Sequence, residues 1–243
     1  MSKNDQMSKR ELVKRYLFFG VGLLITAFGT VCVTKANLGT SPITSIPYTV
    51  SIGFKPTLGM FNLAFSTLLV IIQLLLLRKD FPKHYYLQIP VSIVFSYFID
   101  FAMAVMSWLQ PTTYIAKIIV LLIGCVVIGI GVFTEIVADV VMLPGDCFVN
   151  SIAMKLKMEF GQLKVAIDVS LSALAALIGF ILYHRLAGVR EGTLISAILI
   201  GVVAKNMKKK VGHIPERFFV SDSILARSRG TVIASATEDT SVS

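Results

Sequence analysis

Six apolar runs, set apart by short segments that carry most of the charge, dominate this chain: residues 16–36, 60–77, 87–108, 117–137, 165–183 and 188–207. About 20 apolar residues form roughly 30 Å of helix, the thickness of the hydrocarbon core of a bilayer. A water-soluble domain of 243 residues has no interior in which to hide six such helices. Composition agrees, with 55% hydrophobic and 15% charged residues. Soluble domains average about 45–50% and about 25%. A soluble enzyme, a nucleic-acid-binding domain and a disordered chain are all poor fits. The expectation is an all-α polytopic membrane protein embedded in a lipid bilayer.

The net charge of +9 follows topology, because Lys and Arg gather between the apolar runs. Basic loops mark the cytoplasmic side. Residues 1–15, the loop with Arg78, Lys79 and Lys83, the segment with Lys155, Lys157 and Lys164, and the cluster Lys205, Lys208, Lys209 and Lys210 are basic, whereas 109–116 carries no charge. Six crossings with both termini inside satisfy all of these, leaving Arg185 and Arg190 as exceptions on the outer side. The first run is longer than a signal-peptide core and no small-x-small cleavage site follows it. Tyr16, Tyr85, Tyr86, Trp108 and Tyr114 fall where an aromatic belt is expected. The chain divides into a basic N-terminal segment (1–15), a first membrane unit (16–108), a second (117–210) and a flexible, Ser- and Thr-containing cytoplasmic tail (211–243). Cys32, Cys125 and Cys147 are far apart and read as reduced packing residues.

The two membrane units align without a gap at an offset of 102 residues. Gly29 meets Gly131, Ala36 meets Ala138, Pro42 meets Pro144, Gly59 meets Gly161 and Ala64 meets Ala166. Each unit also holds a short, polar segment that starts at proline, 42–54 and 144–156. Thirteen residues make about 20 Å of helix, too little to span. These segments are expected to be re-entrant half-helices. Three full crossings per unit is odd, so the second unit is expected upside down relative to the first. Making both short segments full spans gives instead eight helices and parallel repeats.

Broken helices in inverted repeats mark the midplane solute sites of many secondary transporters. Pro42 and Pro144 sit at the first helical position, and Ser41 is placed to cap the first. Helix N-termini favour anions. Candidate solute-binding residues are therefore Lys35, Asn37, Thr40, Ser41, Thr44 and Ser45 in the first unit and Asp146 and Asn150 in the second. Asp100, read as lying mid-span, leads the candidates for proton or cation coupling, because an intramembrane carboxylate is costly and usually functional. Glu135 and Asp139 follow. Arg190 and Glu191 form a local pair or a gate at the start of the last helix. Glycines 20, 22, 29, 124, 129 and 131 allow close helix approach, and a homodimer through such faces is compatible with them. No metal, cofactor, hydrolase or phosphate-loop motif is present, and an enzyme is not expected.

The stretch GLLITAFGTVCVTKANLGTSPITSIPYTVS, followed by TLG, resembles the YczE/YitT-type family of bacterial integral membrane proteins. The second unit (ADVVMLPGDCFVNSIAMKL, then FGQLK) is similar but has Val141 in place of the glycine matched by Gly39, and REGTLISAILIG resembles the family's final helix. The resemblance covers about residues 16–210. It implies a multi-pass protein of the bacterial cytoplasmic membrane and supplies no substrate. Taken together, the expectation is a transporter of a small polar or anionic solute, working by alternating access and coupled to protons. The alternatives are a channel using the same re-entrant tips, or an accessory membrane protein acting through a partner.

Overall fold

The structure is a computed structural model that describes residues 9–78, 81–185 and 188–211. Most of the expected tail (211–243), the first eight residues of the N-terminal segment and Lys79 lie outside the described residues. Among the described residues there are eight α-helices and no strand: α1 (Lys9–Lys35), α2 (Pro42–Ser51), α3 (Leu58–Leu77), α4 (Gln88–Val105), α5 (Tyr114–Ala138), α6 (Pro144–Leu156), α7 (Phe160–Tyr183) and α8 (Glu191–Val211). A 3₁₀ turn, Lys83–Leu87, leads into α4.

Among the described residues, five helices are long and apolar enough to cross a membrane: Glu11–Lys35, Leu58–Leu77, His84–Val105, Tyr114–Ala138 and Phe160–Tyr183. The sixth expected span falls on α8, which is not one of these five, because its apolar stretch is confined between Glu191 and the lysines that begin at Lys205. The short segments form helices of 10 and 13 residues, about 15 and 20 Å long. Four of the six helix starts fall earlier than the apolar runs suggest. α1 begins seven residues before the expected 16 and α7 five before the expected 165, because basic residues next to an apolar run continue its helix. Arg15 and Lys164 therefore belong to helices, not to loops.

At the centre α1 crosses α5. A methyl group on Gly22 would lie 3.3 Å from the Gly131 carbonyl oxygen, and one on Gly29 would lie 3.0 Å from that of Gly124. Early residues of α1 thus face late residues of α5, and the helices run antiparallel. Both pairs need glycine, since a side chain at Gly29 would press on Ile128 at 2.7 Å. These four glycines also keep the 102-residue offset, Gly22 with Gly124 and Gly29 with Gly131. The remaining packing is largely reciprocal. α4 packs on α1 as α8 packs on α5, α2 lies on α7 as α6 lies on α3, and each short helix also touches the long helix that follows it. One pairing breaks the pattern: α3 packs along α4, whereas α7 and α8 barely touch among the described residues.

Matching residues also end the central helices. Asn37 (φ 54°) and Asp139 (φ 51°) take the left-handed conformation just past α1 and α5. Asn and Asp adopt it more readily than other non-glycine residues, and helices commonly end this way. Gly39 (φ 109°) then turns the first loop against the start of α8. A methyl group there would meet the Thr193 hydroxyl and the Arg190 amide. Its counterpart Val141 is instead buried in the core with Phe19, Leu23, Phe95 and Ile99, which accounts for the departure from glycine.

Candidate functional site

The N-termini of the two short helices meet. A methyl group on Gly145, in the first turn of α6, would touch Ile43, in the first turn of α2, at 2.7 Å. Ile43 and Gly145 are themselves 102 residues apart. Each helix has proline in its first turn and no side-chain cap. Ser41 does stand at the cap position of α2, but its hydroxyl bonds the Thr44 hydroxyl (2.7 Å) rather than a backbone N–H, which corrects the expected capping role. Two partly positive helix ends therefore converge on one point.

The surroundings of the two ends differ in charge. Around α2 they are neutral hydroxyls. Thr40 bonds Thr44 at 2.9 Å, and the Ser45 and Thr49 hydroxyls donate to the backbone carbonyls of Pro42 and Ser45. Thr40, Ser45 and Thr49 are completely buried. Ser196, on α8, donates to the Thr40 carbonyl. Around α6 the surroundings are ionic. The Lys164 ammonium, on α7, lies 3.0 Å from Asp146 Oδ1 and 3.1 Å from Asp168 Oδ1. Glu135, on α5, is buried and within electrostatic range of Asp146. It accepts a 2.6 Å hydrogen bond from Thr26 on α1, beside the glycine crossing. Lys164 thus pairs with two carboxylates, Asp146 and Asp168, and Glu135 lies near Asp146 without a contact to the lysine.

α6 is anchored to the first unit by neutral amides. Gln73 and Gln88, both fully buried, exchange hydrogen bonds of 3.3 and 3.2 Å. Gln73 also donates to the Pro144 carbonyl and Gln88 to the Cys147 sulfur.

The other expected residues are dispersed. Asn150 donates to the Tyr85 hydroxyl at 3.2 Å. Tyr85 is buried beneath this contact and is not part of a lipid-facing belt, unlike the exposed Tyr16, Tyr86, Trp108 and Tyr114. Lys35 is half-buried at the end of α1, and Asn37 and Asp139 are exposed at helix ends. Arg190 contacts Glu191 at 3.4 Å and donates to the Asn37 carbonyl, tying the start of α8 to the end of α1. Asp100 is not mid-helix. It lies in the penultimate turn of α4, level with the start of α3, where it accepts from the Thr57 hydroxyl (2.6 Å) and the Gly59 amide (2.8 Å). Its carboxylate caps a neighbouring helix, because α3 starts beside the end of α4.

Lys164, Thr26, Gln73 and Gln88 escaped the sequence reading. Lys164 was hidden in a basic segment, although its i, i+4 spacing to Asp168 was visible. Gln73 was the better signal, an amide alone in LLVIIQLLLL. The three cysteines are free and buried, as expected of packing residues.

The arrangement defines a polytopic α-helical membrane protein with a polar centre. The chain belongs to a family of unknown function, DUF6198, whose profile matches residues 13–209. It is 29% identical over 199 residues to the uncharacterized membrane protein YczE of Bacillus subtilis, covering 81% of this chain and 86% of that protein. It is also 28% identical over 118 residues to the uncharacterized protein YyaS of the same organism, covering 48% of this chain and 57% of that one. No solved structure matches it at a significant level. The family resemblance carried by the Gly- and Pro-containing motifs therefore holds.

Proposed function

We propose that this protein is a secondary transporter of a small polar or anionic solute, built from two inverted repeats with six crossings and both termini in the cytoplasm of a bacterial cell. The observation that carries this reading is the meeting of two uncapped, sub-membrane-length helix N-termini, with Ile43 against Gly145, beside an antiparallel α1–α5 crossing. A two-fold axis in the membrane plane makes equivalent helices antiparallel, whereas parallel repeats do not. Irregular backbone at membrane depth is tolerated where protein or a water-filled cavity covers it.

Charge then orients the solute. The α2 end has hydroxyls and no fixed negative charge, so an anionic group binds there, with Ser41 and Thr44 as its side-chain contacts. The α6 end carries Asp146 and Asp168 paired with Lys164, and Glu135 near Asp146. Excess carboxylates at membrane depth are costly unless neutralised. A proton, or a cationic group on the solute, supplies the compensation, and Glu135 replaces Asp100 as the leading coupling residue.

The test is a thermal-shift screen of the detergent-purified protein against small carboxylates, phosphate, amino acids and inorganic ions across pH. A ligand at 100 times its Kd stabilises the native state by about 2.7 kcal/mol. A stabilising compound whose effect disappears in Ser41→Ala or Asp146→Asn supports the reading. Ligands whose effect survives both substitutions place binding elsewhere and refute the site.

A further inference from the structure

We propose that the α7–α8 seam is a gate standing open, and that it closes by taking up the arrangement already present between α3 and α4. The inference rests on the inverted-repeat reading but not on any particular solute.

The closed seam is defined by specific contacts. The Asn62 amide, on α3, donates to the Ser96 hydroxyl, on α4, at 3.0 Å. Asp100 holds the start of α3 through Thr57 and Gly59. Gly59 is required there, because a methyl group would run into the Ser96 carbonyl and the Asp100 carboxylate. Adding 102 gives the equivalent positions. Ser92, Ser96 and Asp100 become Leu194, Ile198 and Val202, and Gly59 becomes Gly161. The first three are the exposed stripe of α8, at 67%, 70% and 47% exposure. Around Gly161 a methyl group would meet nothing within 4 Å. One glycine is met by its neighbour helix and its repeat mate faces open space. α7 packs on α2 and α6 but is otherwise exposed, with only Leu163, Ala175 and Gly179 buried along its 24 residues.

What α7 does hold is consistent with a hinged element. At its C-terminal end the Tyr183 hydroxyl donates to the Thr49 carbonyl of α2 (3.0 Å). Near its N-terminal end Lys164 joins it to Asp146 of α6. Closure would slide Lys164 and Asp168, the equivalents of Asn62 and Ser66, under the apolar stripe of α8. Charges move into such a place only as a compensated group. The open seam and the ionic cluster are thus two sides of one device. With both termini in the cytoplasm, the α3–α4 contacts lie at the outer end and the open seam at the inner end. The structure is then the inward-facing state.

The experiment uses two double-cysteine variants of full-length protein in liposomes, with Cys32, Cys125 and Cys147 replaced by Ala. One is Asn62→Cys with Ser96→Cys, and the other is Gly161→Cys with Val202→Cys. Both positions of the second pair have open space, so these two substitutions displace no neighbour, and far-UV circular dichroism of the cysteine-free parent checks its fold. A short thiol cross-linker is applied across pH and across the solute panel. The expected result is bridging of the 62/96 pair, together with a several-fold rise in bridging of the 161/202 pair under at least one condition. Bridging at 62/96 with none at 161/202 in every condition overturns the proposal. Absence of both bridges removes the packing from which it is drawn, and it falls as well. Spin labels at 161 and 202 give a second readout. Two distance populations are expected, and a single long distance in all conditions overturns the gate even if solute binding is established.

Discussion

Helices α3 and α7 occupy equivalent places in the two units and have the same mean hydropathy over their most apolar windows, 2.3, yet 28% of one window and 11% of the other is buried. Apolarity therefore does not decide which of them packs. The difference lies in a few polar positions. α3 carries Asn62, Ser66 and Gln73, all neutral and all buried. α7 carries Lys164, Asp168 and Ala175 at the equivalent sites. A neutral amide or hydroxyl can enter a dry seam once it finds one partner. A charged group brings a much larger desolvation cost and settles where other charges and water remain within reach. The neutral seam is packed, whereas the one with charged side chains is not.

The sharpest way to break this comparison is to add the same methyl group to both helices. Gly59→Ala forces a carbon into the Ser96 carbonyl and the Asp100 carboxylate, and overpacking of this kind costs about 1–3 kcal/mol. Gly161→Ala meets open space and gains helix propensity, worth up to about 1 kcal/mol. Thermal unfolding in detergent should show the first variant clearly destabilised and the second unchanged or more stable. Equal effects would mean that the two seams are packed alike.

The next largest effect is expected at the buried amide pair. Gln73→Leu leaves Gln88 with one partner fewer and the Pro144 carbonyl without its Gln73 bond, at about 1–3 kcal/mol for an unsatisfied buried group. The same variant should loosen α6, raising hydrogen exchange at Gly145 and Asp146. A variant as stable as the parent would show that α6 is held by its apolar contacts alone.

How much of this was visible beforehand follows the range of the interaction involved. Apolar run length gave the long helices, and prolines 42 and 144 gave the starts of the short ones, because both signals are local. The glycine offset marked which positions of the two units correspond, but not that the matched glycines of α1 and α5 would meet each other. Partners were not legible. Nothing near Asp100 in sequence announces that it caps a helix starting 42 residues earlier, and an isolated carboxylate in an apolar run looks the same whether it binds a proton or a backbone amide. Ser41 failed for a related reason, since a hydroxyl at a cap position can choose a neighbouring hydroxyl. Lys164 was misplaced because a basic residue next to a membrane span reads as a topology signal, whereas its partner Asp146 approaches through a different helix.

These partners separate two carboxylates that the sequence treats alike. Asp100→Asn keeps an acceptor for the Gly59 amide, so a stability loss of no more than about 1 kcal/mol and unchanged solute binding are expected. Glu135→Gln keeps an acceptor for Thr26 and also leaves the fold intact, but removes an ionisable group from the α6 cluster. Binding of the solute found in the screen should then lose its pH dependence in Glu135→Gln and retain it in Asp100→Asn. The reverse outcome would return coupling to Asp100 and place it at the α3–α4 seam.

The smallest effect is expected where the units are joined by exposed charge. Arg190 and Glu191 are each 44% exposed, and such pairs contribute from nothing to about 1 kcal/mol. Arg190 also donates to the Asn37 carbonyl at the end of α1, but the Gly192 amide binds the adjacent Leu38 carbonyl at 2.8 Å and fixes the same junction through backbone. Arg190→Ala should therefore leave thermal stability within about 1 kcal/mol of the parent. If the pair is only a surface contact, solute binding is unchanged as well. If it latches the end of the molecule where α1 and α8 meet, the variant should show altered 161/202 bridging at unchanged stability, since a latch acts on the balance between seam states and not on the fold.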